Sequence, residues 1–266
     1  METQQGKLGR RFVRKMIRIN HHCSTPRGHI KNTGLGNKLV LNFLARSLSI
    51  ENNEPLENWM QTKLYAGTDG DYDGIDRDKW GYIWPYINHN ESNTTIVGRG
   101  TNCGYGDEYH QNSEVVELIA KYKDVLVKDF GKRSGVFVHV RWGDLATDRR
   151  WSDICNYEYY AKCLSDTNYK KGYLASDTLD HPFIQKLLNE FNLEFYQATP
   201  EETIIFGSMF DNKILSLGTF SWWIGFVGNQ NNVMHPDQNN YRRWHGPIFD
   251  PVLSWNKVSK PYEKNN

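Results

Sequence analysis

The sequence predicts an α/β protein in which a parallel sheet carries helices on both faces, within a chain of two small domains. Three observations lead there. From residue 136 onward, short β-branched or apolar runs alternate with helical stretches and short links, the pattern that βαβ units leave in a sequence. The segment 131–135 (GKRSG) separates this regular half from a less regular first half and reads as a hinge. The length of 266 residues accommodates one large domain or two small ones at about 150 residues each. The expected division is 1–132 and 133–266.

Taken in order, residues 16–20 predict a strand that leads through a loop to Gly34-Leu35-Gly36-Asn37 and an apolar helix over 37–48. Residues 51–106 are rich in Asn, Asp, Gly and Tyr without periodic runs, and no element is assigned there. A helix is predicted over 113–130, with Val115, Val116, Leu118, Ile119, Tyr122, Val125, Leu126 and Phe130 on one face. After Gly135, the run VFVHV at 136–140 has the β-branched density of a strand. Asn156 can cap a helix over 156–164. A strand at 172–176 (GYLAS) precedes a helix over 182–191 that opens on Pro182, where a missing N–H does no harm. The rhythm continues with a strand at 193–196, a helix at 201–210, a strand at 214–217, a helix at 221–227 and a last strand at 232–235.

Composition narrows the partners. Lys+Arg number 32 and Asp+Glu 31, a formal balance of +1, which gives no basis for nucleic acid as the main partner. Hydrophobic residues at 38%, including 14% aromatic, suffice for a packed core. The four cysteines are scattered with no C-x-x-C, so neither a disulfide framework nor a zinc site is expected. The His21-His22-Cys23 cluster lacks a second ligand pair, and the acidic loop 67–78 reads as solvated, so no metal is expected. The basic first residues lack an apolar signal core, and 1–14 reads as a leader. No uncharged stretch has the composition of a spanning helix. A soluble cytoplasmic protein is the expectation, with the sequons at Asn90 and Asn93 unmodified.

In open parallel sheets ligands bind beyond the carboxyl ends of the strands. That rule selects His139, Arg141 and Asp144 after the 136–140 strand, Asp177 after 172–176, and Thr219, Phe220 and Ser221 before the last long helix. Arginine presents a planar fork that matches phosphate oxygens, and a helix N-terminus offers unpaired N–H groups to an anion. The set suits a diphosphate. The residues alone also allow a plainer arrangement, in which Arg141 pairs across a domain interface and Thr219 and Ser221 cap a helix. Gly34 and Gly36 let a backbone approach a ligand, or simply make a tight turn. There is no Walker loop and no third glycine of a dinucleotide fingerprint.

Three blocks in order resemble the fucosyltransferase superfamily, most closely its α1,2 group. GLGNKLVLNFLARSL (34–48) is similar to the family's G-x-G-N-Q helix opening, HVRWGDL (139–145) to its H-x-R-R-G-D-Y donor motif, and TFSWW (219–223) to its S-x-S-S/T-F-S-W-W block. YLASD (173–177), NYEYYAKCL (156–164) and WHGPIF (244–249) fit the same pattern. The resemblance covers roughly 15–48 and 135–250. It implies two Rossmann-like domains facing across a cleft (the GT-B arrangement), a GDP-fucose donor, a glycan acceptor, inversion at the anomeric carbon, and no cofactor or metal.

By motif position, the resemblance implies that His139 contacts the guanosine and Arg141 the departing β-phosphate. Gly34, Gly36, Thr219, Phe220 and Ser221 would line the donor, with Thr219, Phe220 and Ser221 donating to its phosphates. Asp177 would reach the ribose or shape the pocket, and Asn37 would face the reacting centre. Asp144 and Asp148 are the alternatives for the base that takes the acceptor's proton. Trp142 stands where the family has a second Arg, Leu145 where it has Tyr, Lys38 where it has Gln, and Leu217-Gly218-Thr219 where it has Ser-Asn-Ser/Thr. These departures leave open another GDP-sugar or linkage, or a glycan- or nucleotide-binding module without catalysis.

Overall fold

A computed structural model describes residues 17–20, 35–55, 62–65, 84–89, 94–99, 113–143, 155–228, 231–237 and 255–258. The expected leader (1–14), the 67–78 loop and the WHGPIF block lie outside the described residues.

The second half forms a six-stranded, wholly parallel sheet. Its strands are β4 (Arg133–Val140), β5 (Gly172–Ser176), β6 (Leu193–Phe195), β7 (Phe210–Ile214), β8 (Asn232–Pro236) and β9 (Asn256–Val258). They lie in the order β6-β5-β4-β7-β8-β9. The chain builds outward from β4 to one edge, returns, and builds outward from β7 to the other. The reversal leaves a crevice at the carboxyl ends of β4 and β7, the topological switch point at which doubly wound sheets bind ligands.

Alternation along β4 assigns the two faces. Val136, Val138 and Val140 point to one face, where helices α3 (Tyr157–Ser165) and α4 (Pro182–Glu190) cover them with Tyr159, Tyr160, Leu164, Ile184 and Leu187. Phe137 points to the other, beneath α5 (Pro200–Ser208) and α6 (Thr219–Val227). The caps are those their sequences imply. Asn156 Oδ1 accepts from Tyr159 N at 3.2 Å, Pro182 occupies the first turn of α4, and Thr199 and Glu202 close a capping box on α5.

The first half contributes α1 (Leu35–Asn52), α2 (Ser113–Leu126) and a three-stranded sheet in the order β1-β3-β2. Its strands are β1 (Ile17–Asn20), β2 (Trp84–His89) and β3 (Thr94–Arg99), with β1 parallel and β2 antiparallel to β3. Helix α1 is the link between the halves. Leu39, Val40, Phe43, Leu44, Ala45 and Leu48 are all buried and share one hydrophobic cluster with α2, with Leu64 and Tyr65, and with Trp222, Trp223 and Phe226 of α6. The segment before Tyr65 is tied to α5, because buried Glu201 accepts from the Thr62 hydroxyl and from Lys63 N.

Several elements differ from their predicted limits. The strand expected at 214–217 is β7, Phe210–Ile214, and α5 ends at Ser208 rather than 210. The polar triplet Asp211-Asn212-Lys213 reads as loop, but the sheet satisfies it. Asn212 Nδ2 donates to Gly135 O at 2.9 Å, its side chain also accepts from Asn232, and Asn232 accepts from Asn256 at 3.1 Å. Lys213, fully buried, donates its ammonium to Phe210 O, and burial pushes its pKa down to about 8. Strands β2, β3 and β9 were not anticipated. Helix α1 extends beyond 37–48 at both ends, and α2 stops at Leu126. Val125, placed on the apolar face of α2, is 56% exposed, whereas Leu118, Ile119, Tyr122 and Leu126 are buried. No helix among the described residues is long and apolar enough to cross a membrane.

Helices α1 and α6 pack side by side, and their first turns touch at Gly36. A Cβ there would lie 2.5 Å from Phe220 N and 2.7 Å from Thr219 Oγ1, and Trp223 Nε1 donates to Gly36 O at 2.8 Å. Gly36→Ala is therefore expected to destabilise the protein by about 1–3 kcal/mol through overpacking against backbone. The check is a lower denaturant midpoint at unchanged slope. An unchanged midpoint would mean that the two helix ends can part freely.

Candidate functional site

The site gathers at the switch point because three loops end there. Strand β4 delivers His139 inward, on the face covered by α6, and Arg141 just past its last residue. Strand β7 is followed by 215–218 and the first turn of α6. The first turn of α1 closes in from the other half through Gly36. The Tyr159 hydroxyl, donating to Leu215 O at 2.8 Å, holds the β7–α6 loop from the opposite face of the sheet.

His139 is 7% exposed and its Nδ1 is hydrogen-bonded to Ser221 Oγ, while its ring lies 5.0 Å from that of Phe220. Burial lowers its pKa to about 4; the nearby Asp177 charge opposes that shift and Arg141 adds to it. The imidazole is thus neutral near pH 7, a hydrogen-bonding group rather than a cation. Ser221 Oγ also accepts from Ser216 N at 3.2 Å, and the residue is fully buried. Its hydroxyl is therefore used inside the protein to pin β4 to α6. Thr219 and Phe220, at the same helix start, remain partly exposed.

Arg141 depends on a glycine. Gly218 has φ +107°, a backbone region that L side chains rarely adopt, and a Cβ there would stand 2.7 Å from Arg141 Nη1. The guanidinium thus lies against the residue that begins α6, and no side chain caps that helix. An arginine fork and the positive end of a helix macrodipole occupy one place, an arrangement that favours an anion between them. The sequence marked Gly218 only as a departure from the family pattern; close backbone approach is what requires it.

Asp177 turns its carboxylate back on the loop after β4. Its Oδ1 accepts from Trp142 N at 2.9 Å and Gly143 N at 3.2 Å. A Cβ on Gly143 would sit 3.1 Å from Asp177 Oδ2. The observed role is to shape the edge. The Trp142 ring lies beside His181 and Phe183 at the start of α4. His181, which caps α4 through Nδ1 at 3.4 Å to Phe183 N, was not singled out from the sequence.

Of the remaining candidates, Asn37 lies in the first turn of α1, next to Gly36. Its side chain, together with Gly34, Asp144 and Asp148, lies outside the described residues. Cys155 and Cys163 are buried, and burial raises the Cys163 thiol to about 12, far from a reactive thiolate. Among the described residues, no three His, Cys, Asp or Glu side chains group as metal ligands.

Comparison with protein-family models, with curated proteins and with solved structures returns no match. What defines this site is its geometry: an arginine, a buried neutral histidine and two helix N-termini at the switch point of a doubly wound sheet.

His139 makes folding sensitive to acid. Its folded pKa lies below the unfolded value near 6.5, so from about pH 6.5 down to 4 the unfolded chain binds the extra proton and stability falls. Denaturation across that window should show a shallower loss for His139→Gln than for the unaltered protein. Equal slopes would assign the acid sensitivity to other groups.

Proposed function

We propose that the chain is an inverting, metal-independent glycosyltransferase that moves L-fucose from GDP-fucose to a hydroxyl of a galactose-type glycan in the cytoplasm. One observation carries the reading. The three blocks that resemble the fucosyltransferases, separated by about a hundred residues and then eighty in the chain, touch one another at the switch point. Gly36 of the first lies against Thr219 and Phe220 of the third, and His139 of the second bonds Ser221 of the third. In this reading residues 1–132 and 133–266 are the acceptor-side and donor-binding domains of a GT-B enzyme, with α1 entering the cleft between them.

The step balances simply. The acceptor hydroxyl oxygen attacks the anomeric carbon from the face opposite the diphosphate, and the bond from that carbon to the β-phosphate oxygen breaks. Its electron pair leaves on GDP. Arg141 and the N–H groups of Thr219 and Phe220 stabilise the charge that grows there. The hydroxyl proton passes to a carboxylate, for which Asp144 and Asp148 are the candidates. Asn37, at the start of α1, orients the reacting sugar from the other half. His139, neutral and buried, serves as a hydrogen-bonding wall to the nucleoside rather than as a proton carrier.

The test mixes purified protein with GDP-fucose and a panel of β-galactosides, with and without EDTA, and follows GDP. Acceptor-dependent release that survives EDTA is expected. Arg141→Ala should reduce turnover by about 10²–10³-fold with the fold intact. A folded variant with full turnover would remove Arg141 from the mechanism. Tight GDP binding without release from the unaltered chain would favour a different GDP-sugar or a binding module, the reading to which Trp142, in place of a second Arg, points.

A further inference from the structure

Arg141 and Trp142 are consecutive, and in extended chain successive side chains leave on opposite sides. Arg141 reaches toward β7, with Nη1 beside Gly218. Trp142 reaches toward β5, its ring centroid 4.7 Å from His181 and 4.6 Å from Phe183. Both neighbours stand at the start of α4, and Phe183 is in turn stacked on buried Tyr160 of α3. The backbone of Trp142 is fixed as well, since its N–H donates to Asp177 Oδ1 at 2.9 Å. The residue nevertheless remains partly exposed. The result is a flat apolar ring, rigidly backed, on one side of the β4 end and a guanidinium on the other.

A nucleoside diphosphate has the same two parts, a flat base and an anionic diphosphate held apart by a ribose. We infer that Trp142 is a specificity-determining residue that stacks the base of a nucleoside diphosphate whose phosphates lie toward Arg141 and Gly218. The inference rests on the reading of this edge as a nucleotide site. It gives the substitution of a cation by an indole a physical meaning: part of the affinity passes from phosphate charge to the base. A purine offers a larger face than a pyrimidine, so the order of affinity should be GDP, then UDP, then inorganic pyrophosphate. Base–aromatic stacking is strong enough to be worth about 10-fold or more in affinity.

Calorimetric titration of the full chain with GDP, UDP and inorganic pyrophosphate tests this, using Trp142→Ala and Trp142→Phe with a thermal melt of each. Trp142→Ala should weaken GDP by about 10-fold or more and change pyrophosphate by less than about 3-fold. Trp142→Phe should recover most of the GDP affinity. If the Ala variant weakens GDP and pyrophosphate alike, or neither, Trp142 does not read the base, and the nucleotide site stands without it. If the unaltered chain binds neither GDP nor pyrophosphate, the nucleotide reading itself fails and takes this inference with it. Should Trp142→Ala not fold, the unaltered protein decides through its ligand order: equal affinity for GDP, UDP and pyrophosphate overturns the inference.

Discussion

The contact at Gly36 is the constraint on which the rest of the molecule depends. The first turn of α1 presses on the first turn of α6 so closely that only a hydrogen fits between Gly36 and the backbone of Phe220, and the Trp223 indole locks the approach by donating to Gly36 O. Because α1 is anchored there, its apolar residues continue the core beneath α6. Helix α1 is covered so fully that polar residues are enclosed with the apolar ones: Asn42 and Ser47 are fully buried, and the Ser47 hydroxyl donates to Phe43 O at 2.9 Å.

The same contact concentrates positive potential. Two helix N-termini face one edge, and Gly218 lets the Arg141 guanidinium lie beside the start of α6. For an anion at this edge the arginine dominates: a hydrogen bond from a charged donor contributes roughly 1.5–3 kcal/mol, against about 0.3–1 kcal/mol for a helix terminus. Burial keeps His139 from adding a second cation, and Asp177, which accepts from the N–H groups of Trp142 and Gly143, sets the loop. Charge and shape are thus assigned to different residues at neighbouring strand ends.

Where sequence reasoning failed, the cause was long-range pairing. Asp211-Asn212-Lys213 has the composition of a turn, and no local rule makes it a strand. It is one because Asn212 bridges Gly135 and Asn232, and because Lys213 finds a carbonyl inside the core. Strand β1 joins β3 in parallel from more than seventy residues away, whereas β2 and β3 pair antiparallel as near neighbours whose sequences lack a periodic run. The fully buried Ser221 hydroxyl also has a distant partner that no local rule indicates: it bonds His139 as well as accepting from Ser216 N.

By itself, the sequence determined the features that depend on near neighbours. The alternation of β4, β5 and β8 with helices is written in short apolar runs, β-branched in β4, and Asn156 and Pro182 mark helix starts because such signals act within three or four residues. It also placed His139, Arg141, Asp177 and Thr219–Ser221 at strand ends, where a parallel sheet opens. Only the tertiary structure decided the strand order, and with it the switch point between β4 and β7, since that order depends on which distant edges pair. It alone showed that Gly36 and Gly218 are spacers for another helix and for a guanidinium, because a glycine's local freedom looks the same whether it serves a turn or a close approach.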